Sequence, residues 1–177
     1  MKKITLGNVV KEYKTGNSYE QIVKENYPEN AEHIILVKID GKLEELAKKV
    51  KRDCQLEPVT FSDNPGYNSY TRSTTFLMLK AIYDLYTREE IGKVRVEFSA
   101  GAGYFCTLSG KLKADKAFTE KVESRMKEYV DKAIPITKEV INTQEAVSRF
   151  AEYGMEDKAA LFRYRRASKV NLYSIGG

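Results

Sequence analysis

The sequence predicts an α+β chain in two parts: a β-grasp-like unit over residues 1–62, and a second α+β unit over 67–177 in which a long helix packs with antiparallel strands. Three observations carry this. The first part runs strand, strand, helix, then more strands, with an Asp40-Gly41 turn. Asp63-Asn64-Pro65-Gly66 concentrates turn chemistry at one point. Beyond it, two apolar stripes at helical spacing precede alternating strands and further helices.

Lys3-Ile4-Thr5-Leu6 and Val9 to Tyr13 read as two short strands around Gly7-Asn8. Asn17 with Glu20 forms a capping-box pattern for a helix that carries Ile22 and Val23 and stops before Pro28. Ile34 to Ile39 is rich in β-branched residues and is the clearest strand. Asp40-Gly41 suits a type I′ turn, whose two central residues both need positive φ. Leu43 to Leu46 returns, and Pro58 to Phe61 closes the unit.

Residues 69–86 form the long helix. Met78, Ala81, Ile82 and Leu85 share one face, and Arg72, Phe76, Leu79 and Tyr83 a second, so it is buried on more than one side. Val94 to Phe98 and Tyr104 to Leu108 alternate as strands around a Gly-rich turn. Asp115 caps a helix with the stripe Phe118, Val122, Met126 and Tyr129. Pro135 to Val140 is a short strand, Asn142 and Glu145 cap a helix ended by Gly154, and 156–164 form a further short helix.

Of 177 residues, 30 are Lys or Arg and 25 are Asp or Glu, a formal net charge of +5. The excess is concentrated. Lys158, Arg163, Arg165, Arg166 and Lys169 lie in a stretch, 158–177, that holds no acid. With Phe162, Tyr164 and Tyr173 interleaved, this basic surface is suited to gripping phosphates and stacking bases. The same residues would also suit a solvated helix end. No run reaches the roughly 18 apolar residues that span a bilayer, so no membrane partner is expected. The two cysteines make no disulfide scaffold, and Met1-Lys2-Lys3 is not followed by a signal-peptide core, so the expected location is the cytoplasm.

One histidine, His33, excludes His-pair mechanisms and His-rich metal sites. Ser99 to Gly103 lacks the spacing of a nucleotide loop and is followed by a strand, so it reads as a hairpin turn. Cys54 and Cys106 read as core thiols, and Glu89-Glu90 and Glu156-Asp157 as solvated acids. No residues form a catalytic triad or pair, and no catalytic residue is assigned.

Two stretches carry a resemblance. Ile39-Asp40-Gly41-Lys42-Leu43-Glu44-Glu45-Leu46, with Asp53 to Phe61, resembles the end of a TGS domain, the ubiquitin-like β-grasp module that opens threonyl-tRNA synthetases. Tyr70 to Tyr86, Gly103-Tyr104-Phe105, Lys121 to Tyr129, Gln144-Glu145-Ala146 and Gly154 to Lys158 follow the order of the second additional domain of threonyl- and alanyl-tRNA synthetases. In those enzymes it hydrolyses mischarged tRNA, with HxxxH and CxxxH pairs around a metal. Here the matching positions are Arg72 and Phe76, then Tyr173 and Gly177, so the resemblance implies a degenerate pocket without metal.

The wording also resembles that of bacterial uridine kinase-like nucleoside kinases, from Tyr70-Thr71-Arg72-Ser73 through Gly103-Tyr104-Phe105-Cys106 to Gly154 to Phe162. That resemblance implies an amino-terminal regulatory piece, truncated within its second domain. A kinase domain beyond Gly177 would use ATP and Mg; no cofactor is expected in this part. Arg72, Phe76, Tyr70, Tyr104 and Tyr173 would line the degenerate pocket and take a nucleoside or nucleotide. The other reading is an RNA-binding module derived from threonyl-tRNA synthetase, its editing lost. Its partner would be tRNA.

Overall fold

Alternating residues make β1 (Lys2–Leu6) and β2 (Val9–Tyr13) an antiparallel hairpin, with Ile4 and Leu6 turned into the core. The chain belongs to a computed structural model that describes residues 1–101 and 103–176. Helix α1 (Tyr19–Asn26) follows, buried through Tyr19, Ile22 and Val23. Its capping box sits one residue later than expected. Ser18 accepts from the Gln21 amide, and the Gln21 side chain accepts from the Ser18 amide. Asn17 is occupied otherwise, its carbonyl accepting from the Val50 amide at 2.8 Å.

A 3-10 turn (Ala31–His33) leads into β3 (Ile34–Ile39), which pairs with β4 (Lys42–Glu45) through Asp40-Gly41. Both turn residues have positive φ, 49° and 79°, as type I′ geometry demands. β5 (Cys54–Thr60) starts earlier than the sequence suggests and completes a sheet of order β2-β1-β5-β3-β4, with β1 and β5 parallel at its centre. That is a β-grasp arrangement. Cys54, Leu56, Val37, Ile4 and Ile22 belong to its single buried cluster.

Helix α2 runs Asn64–Leu85. The turn chemistry at Asp63 to Gly66 is therefore a helix start and not an extended linker. Proline is tolerated in a first turn because the amide it lacks would have no helical partner. Asp63 accepts from the Thr60 amide at 2.8 Å and the Thr60 hydroxyl at 2.9 Å, and its carbonyl accepts from the Tyr67 amide. Two compact units result, Met1–Phe76 and Leu77–Gly177.

In the second unit the α2 residues Ala81 and Ile82 are buried with Ile91, Phe118, Val122 and Tyr129. Ile91 belongs to α3 (Arg88–Ile91), a one-turn helix the sequence reading missed; Thr87 and Glu90 form its capping box. Glu90, read as a solvated acid, thus has a structural partner. The antiparallel pairing divides into two ladders, β6 (Val94–Ala100) with β7 (Gly103–Leu108), and β8 (Ile136–Asn142) with β9 (Lys169–Ile175). Asp115 caps α4 (Lys116–Asp131) as expected, accepting from the Phe118 amide at 2.9 Å.

One polar link joins α2 to α4. Tyr129 donates to Asp84, which also takes two 2.8 Å bonds from Lys80. Burial alone would raise the Asp84 pKa, but the bonds from Lys80 and Tyr129 outweigh it and hold the carboxyl below its usual range. Burial, then the bond to Asp84, pushes Tyr129 up to about 12. A depressed carboxyl stabilises the fold above its unfolded pKa, about 3.9, and this contribution disappears as pH falls through the folded value. Asp84→Asn is therefore expected to cost about 1 kcal/mol at neutral pH. It is also expected to flatten the acid limb of stability, which urea midpoints of both proteins from pH 3 to 6 would check.

Candidate nucleic-acid interface

The basic residues sit on a small module built from β8, β9 and two helices, α5 (Thr143–Glu152) and α6 (Glu156–Arg163). Gly154 makes the corner between the helices. At φ +65° it lets the Gly154 amide reach the Ala151 carbonyl and the Met155 amide reach the Phe150 carbonyl, a Schellman closure. Asn142 stands at the expected N-cap of α5, but its side chain makes no capping bond.

Ile141, Ala146 and Val170 are buried beneath the helices, with Phe150, Phe162 and Leu172 packed against them. Phe150 and Phe162 meet edge to face at 5.0 Å. Lys158 lies 5.7 Å from the Phe150 ring and Arg165 lies 5.3 Å over Phe162. Their aliphatic stems cover apolar surface while the charges stay in water.

Lys158, Arg163, Arg165, Arg166 and Lys169 are all exposed. Among the described residues none of them enters a salt bridge. Three acids of the module are engaged by other cations. Arg149 takes Glu139 and Glu145, and Lys93 takes Asp157, whose carboxyl that hydrogen bond holds low. The sequence alone did not reveal this allocation. It leaves five positive charges over twelve residues without a carboxylate at contact distance. Tyr164, in their midst, is 87% exposed.

The proposed degenerate pocket is distributed differently. Tyr70, Arg72 and Phe76 lie on α2 within the first unit; Tyr104 is on β7 and Tyr173 on β9 within the second. Arg72 is exposed, so its guanidinium needs no buried partner, contrary to the expectation that it is enclosed. Phe76 is half-buried, and Tyr70, Tyr104 and Tyr173 are exposed. Lys138 lies 5.3 Å from the Tyr173 ring. Tyr104 and Tyr173 belong to separate ladders.

A guanidinium, a phenyl ring and a phenol at positions 72, 76 and 173 do not fit a metal; Gly177 lies outside the described residues. Among the described residues no group of three or more His, Cys, Asp and Glu could hold one. Cys54 is buried as expected, whereas Cys106 is only half-buried on β7. No described helix is long and apolar enough to cross a membrane.

No protein-family profile matches the chain. It is similar to threonine–tRNA ligases of several bacteria. That of Symbiobacterium thermophilum is 28% identical over 168 residues, covering 94% of this chain and 25% of the ligase. That of Burkholderia lata is 31% identical over 143 residues, 79% of this chain and 22% of the ligase. That of Francisella philomiragia is 26% identical over 170 residues, 94% and 26% respectively. The chain spans about a quarter of the length of the curated relatives it matches.

Proposed function

We propose that this chain, related over most of its length to part of the threonine–tRNA ligases, is an RNA-binding module whose natural partner is tRNA. The observation that carries the reading is the run of five exposed cations from Lys158 to Lys169, left without carboxylate partners around Tyr164. Their charges would neutralise phosphates, and the exposed phenol offers a face for a base. The similarity to proteins named as tRNA ligases favours tRNA among acidic partners. The cytoplasm is the corresponding place of action.

Metal-dependent editing forms no part of this proposal, because Arg72 and Phe76 stand where the resemblance would require imidazoles. A nucleoside-kinase parent rests on sequence wording alone, while the relatives support the tRNA-ligase side of the resemblance.

Salt dependence tests the reading. If the five cations contact phosphates, the logarithm of tRNA affinity should fall with the logarithm of salt concentration at a slope of about −3.5 to −4.5. Fluorescence anisotropy between 25 and 300 mM salt would measure it. A flat response, or no binding at the lowest salt, refutes the proposal.

A further inference from the structure

A cleft of about 340 Å³ opens on the first unit, where the end of β5 meets the start of β3. This is the small end of the roughly 300–1,000 Å³ range of ligand sites. Its walls are aromatic and apolar: Tyr27, Pro58 and Phe61, with the His33 ring edge to face on Phe61 at 5.2 Å. The lining also includes Asn30 and Ser62, so Tyr27, Asn30, His33 and Ser62 all bring polar side chains to it. Among the described residues none of these four side chains has a hydrogen-bond partner.

The frame around them is fixed. The Phe61 amide donates to the His33 carbonyl at 3.1 Å, tying the two sides together, and Asp63 locks Thr60 at the rim. A site whose frame is already ordered spends little binding energy on ordering itself. No Lys, Arg, Asp or Glu lines the cleft. The sequence flanking Asn30 adds Glu29 and Glu32. Such a setting suits a flat, uncharged ring with donors and acceptors on its edge, and its lining offers no cation to a polyphosphate.

From this we infer that the cleft takes a nucleobase, stacked on an aromatic wall and read by uncharged donors and acceptors. The base has two conceivable sources, a free nucleoside or an unstacked position in RNA. Neither source depends on the basic module of the second unit.

NMR on the full chain, labelled with 15N and titrated with each of the four nucleosides, their 5′-triphosphates and short single-stranded oligonucleotides, tests this. Nucleosides or oligonucleotides should shift the amides of Tyr27, Asn30, His33, Phe61 and Ser62 saturably below about 10 mM. Saturation by nucleosides identifies a small-molecule site; saturation by oligonucleotides alone identifies a base held within RNA. Triphosphates should bind at least about threefold more weakly than the matching nucleosides. Phe61→Ala should weaken binding about tenfold. Asn30→Ala with Ser62→Ala, two exposed changes that leave the core intact, should weaken it several-fold and keeps the test valid if Phe61→Ala misfolds. Absence of saturation with every probe overturns the inference, as does unchanged affinity in both variants. Charge reversal at Arg163 and Arg166 should leave the nucleoside shifts unaltered, so the cleft and the basic surface stand or fall separately.

Discussion

Gly66→Ala is expected to destabilise the first unit by about 3 kcal/mol, at the upper end of what overpacking usually costs. On helix propensity alone the change would gain about 1 kcal/mol, since alanine is the better helix former. The surroundings reverse the sign. A Cβ at Gly66 would stand 1.9 Å from the Thr60 carbonyl oxygen and 2.7 Å from its carbon. That carbonyl cannot easily give way, because Thr60 is paired with Ile34 across the sheet and both its amide and hydroxyl are held by Asp63. Inserting a methyl group must therefore move the helix start or break the strand end. Thermal melts should place Gly66→Ala roughly 12–20 °C below the parent, with Asn68→Ala, an exposed change in the same helix, within a few degrees of it. A neutral Gly66→Ala would mean that the helix does not press on Thr60 in solution.

Reversing three charges, Arg163→Glu, Arg166→Glu and Lys169→Glu, is expected to lower tRNA affinity about 100-fold at low salt. These three were chosen because Lys158 and Arg165 also lie against the Phe150 and Phe162 rings, where substitution would disturb packing. All three are exposed and, among the described residues, enter no salt bridge, so the fold should survive. Net charge alone would predict the same loss from any equal change. A control triple, Lys42→Glu, Lys49→Glu and Lys51→Glu, alters exposed lysines of the first unit by the same amount. Anisotropy titrations should find the control within about fivefold of the parent. Equal losses in both triples would sink a localised interface and leave only a diffuse attraction.

The β-grasp unit was largely legible because its signals are local. Alternation marks Ile34 to Ile39, and only a type I′ turn needs two positive φ values in succession, as Asp40-Gly41 provides. The capping box slipped by one because Asn17 with Glu20 and Ser18 with Gln21 carry the same pattern. The Val50 amide, more than thirty residues away, decides between them. Asp63 to Gly66 was read as a linker because proline and glycine punctuate loops and helix starts alike. β9 carries no local signal: its partner β8 is separated from it by two helices, and its own sequence begins inside a basic run.

For the sites, the five cations could be counted from the sequence, but not that Arg149 and Lys93 claim three of the nearby acids. The cleft left no sequence signal at all. Its lining comes from residues 27–34 and 58–62, which only the β3–β5 pairing brings together.

The interior place of β1 has a consequence for synthesis on the ribosome. Its parallel partner β5 enters the register at Cys54 opposite Ile4, fifty positions later. At roughly 5–20 residues per second, the nascent β1–β2 hairpin waits about 2–8 s with one edge unpaired. During that interval the growing chain offers a bare strand to any neighbour, including a second nascent copy on the same messenger. Translation speed across codons 14–54 therefore sets how long this protein is vulnerable to mispairing before its first domain can close.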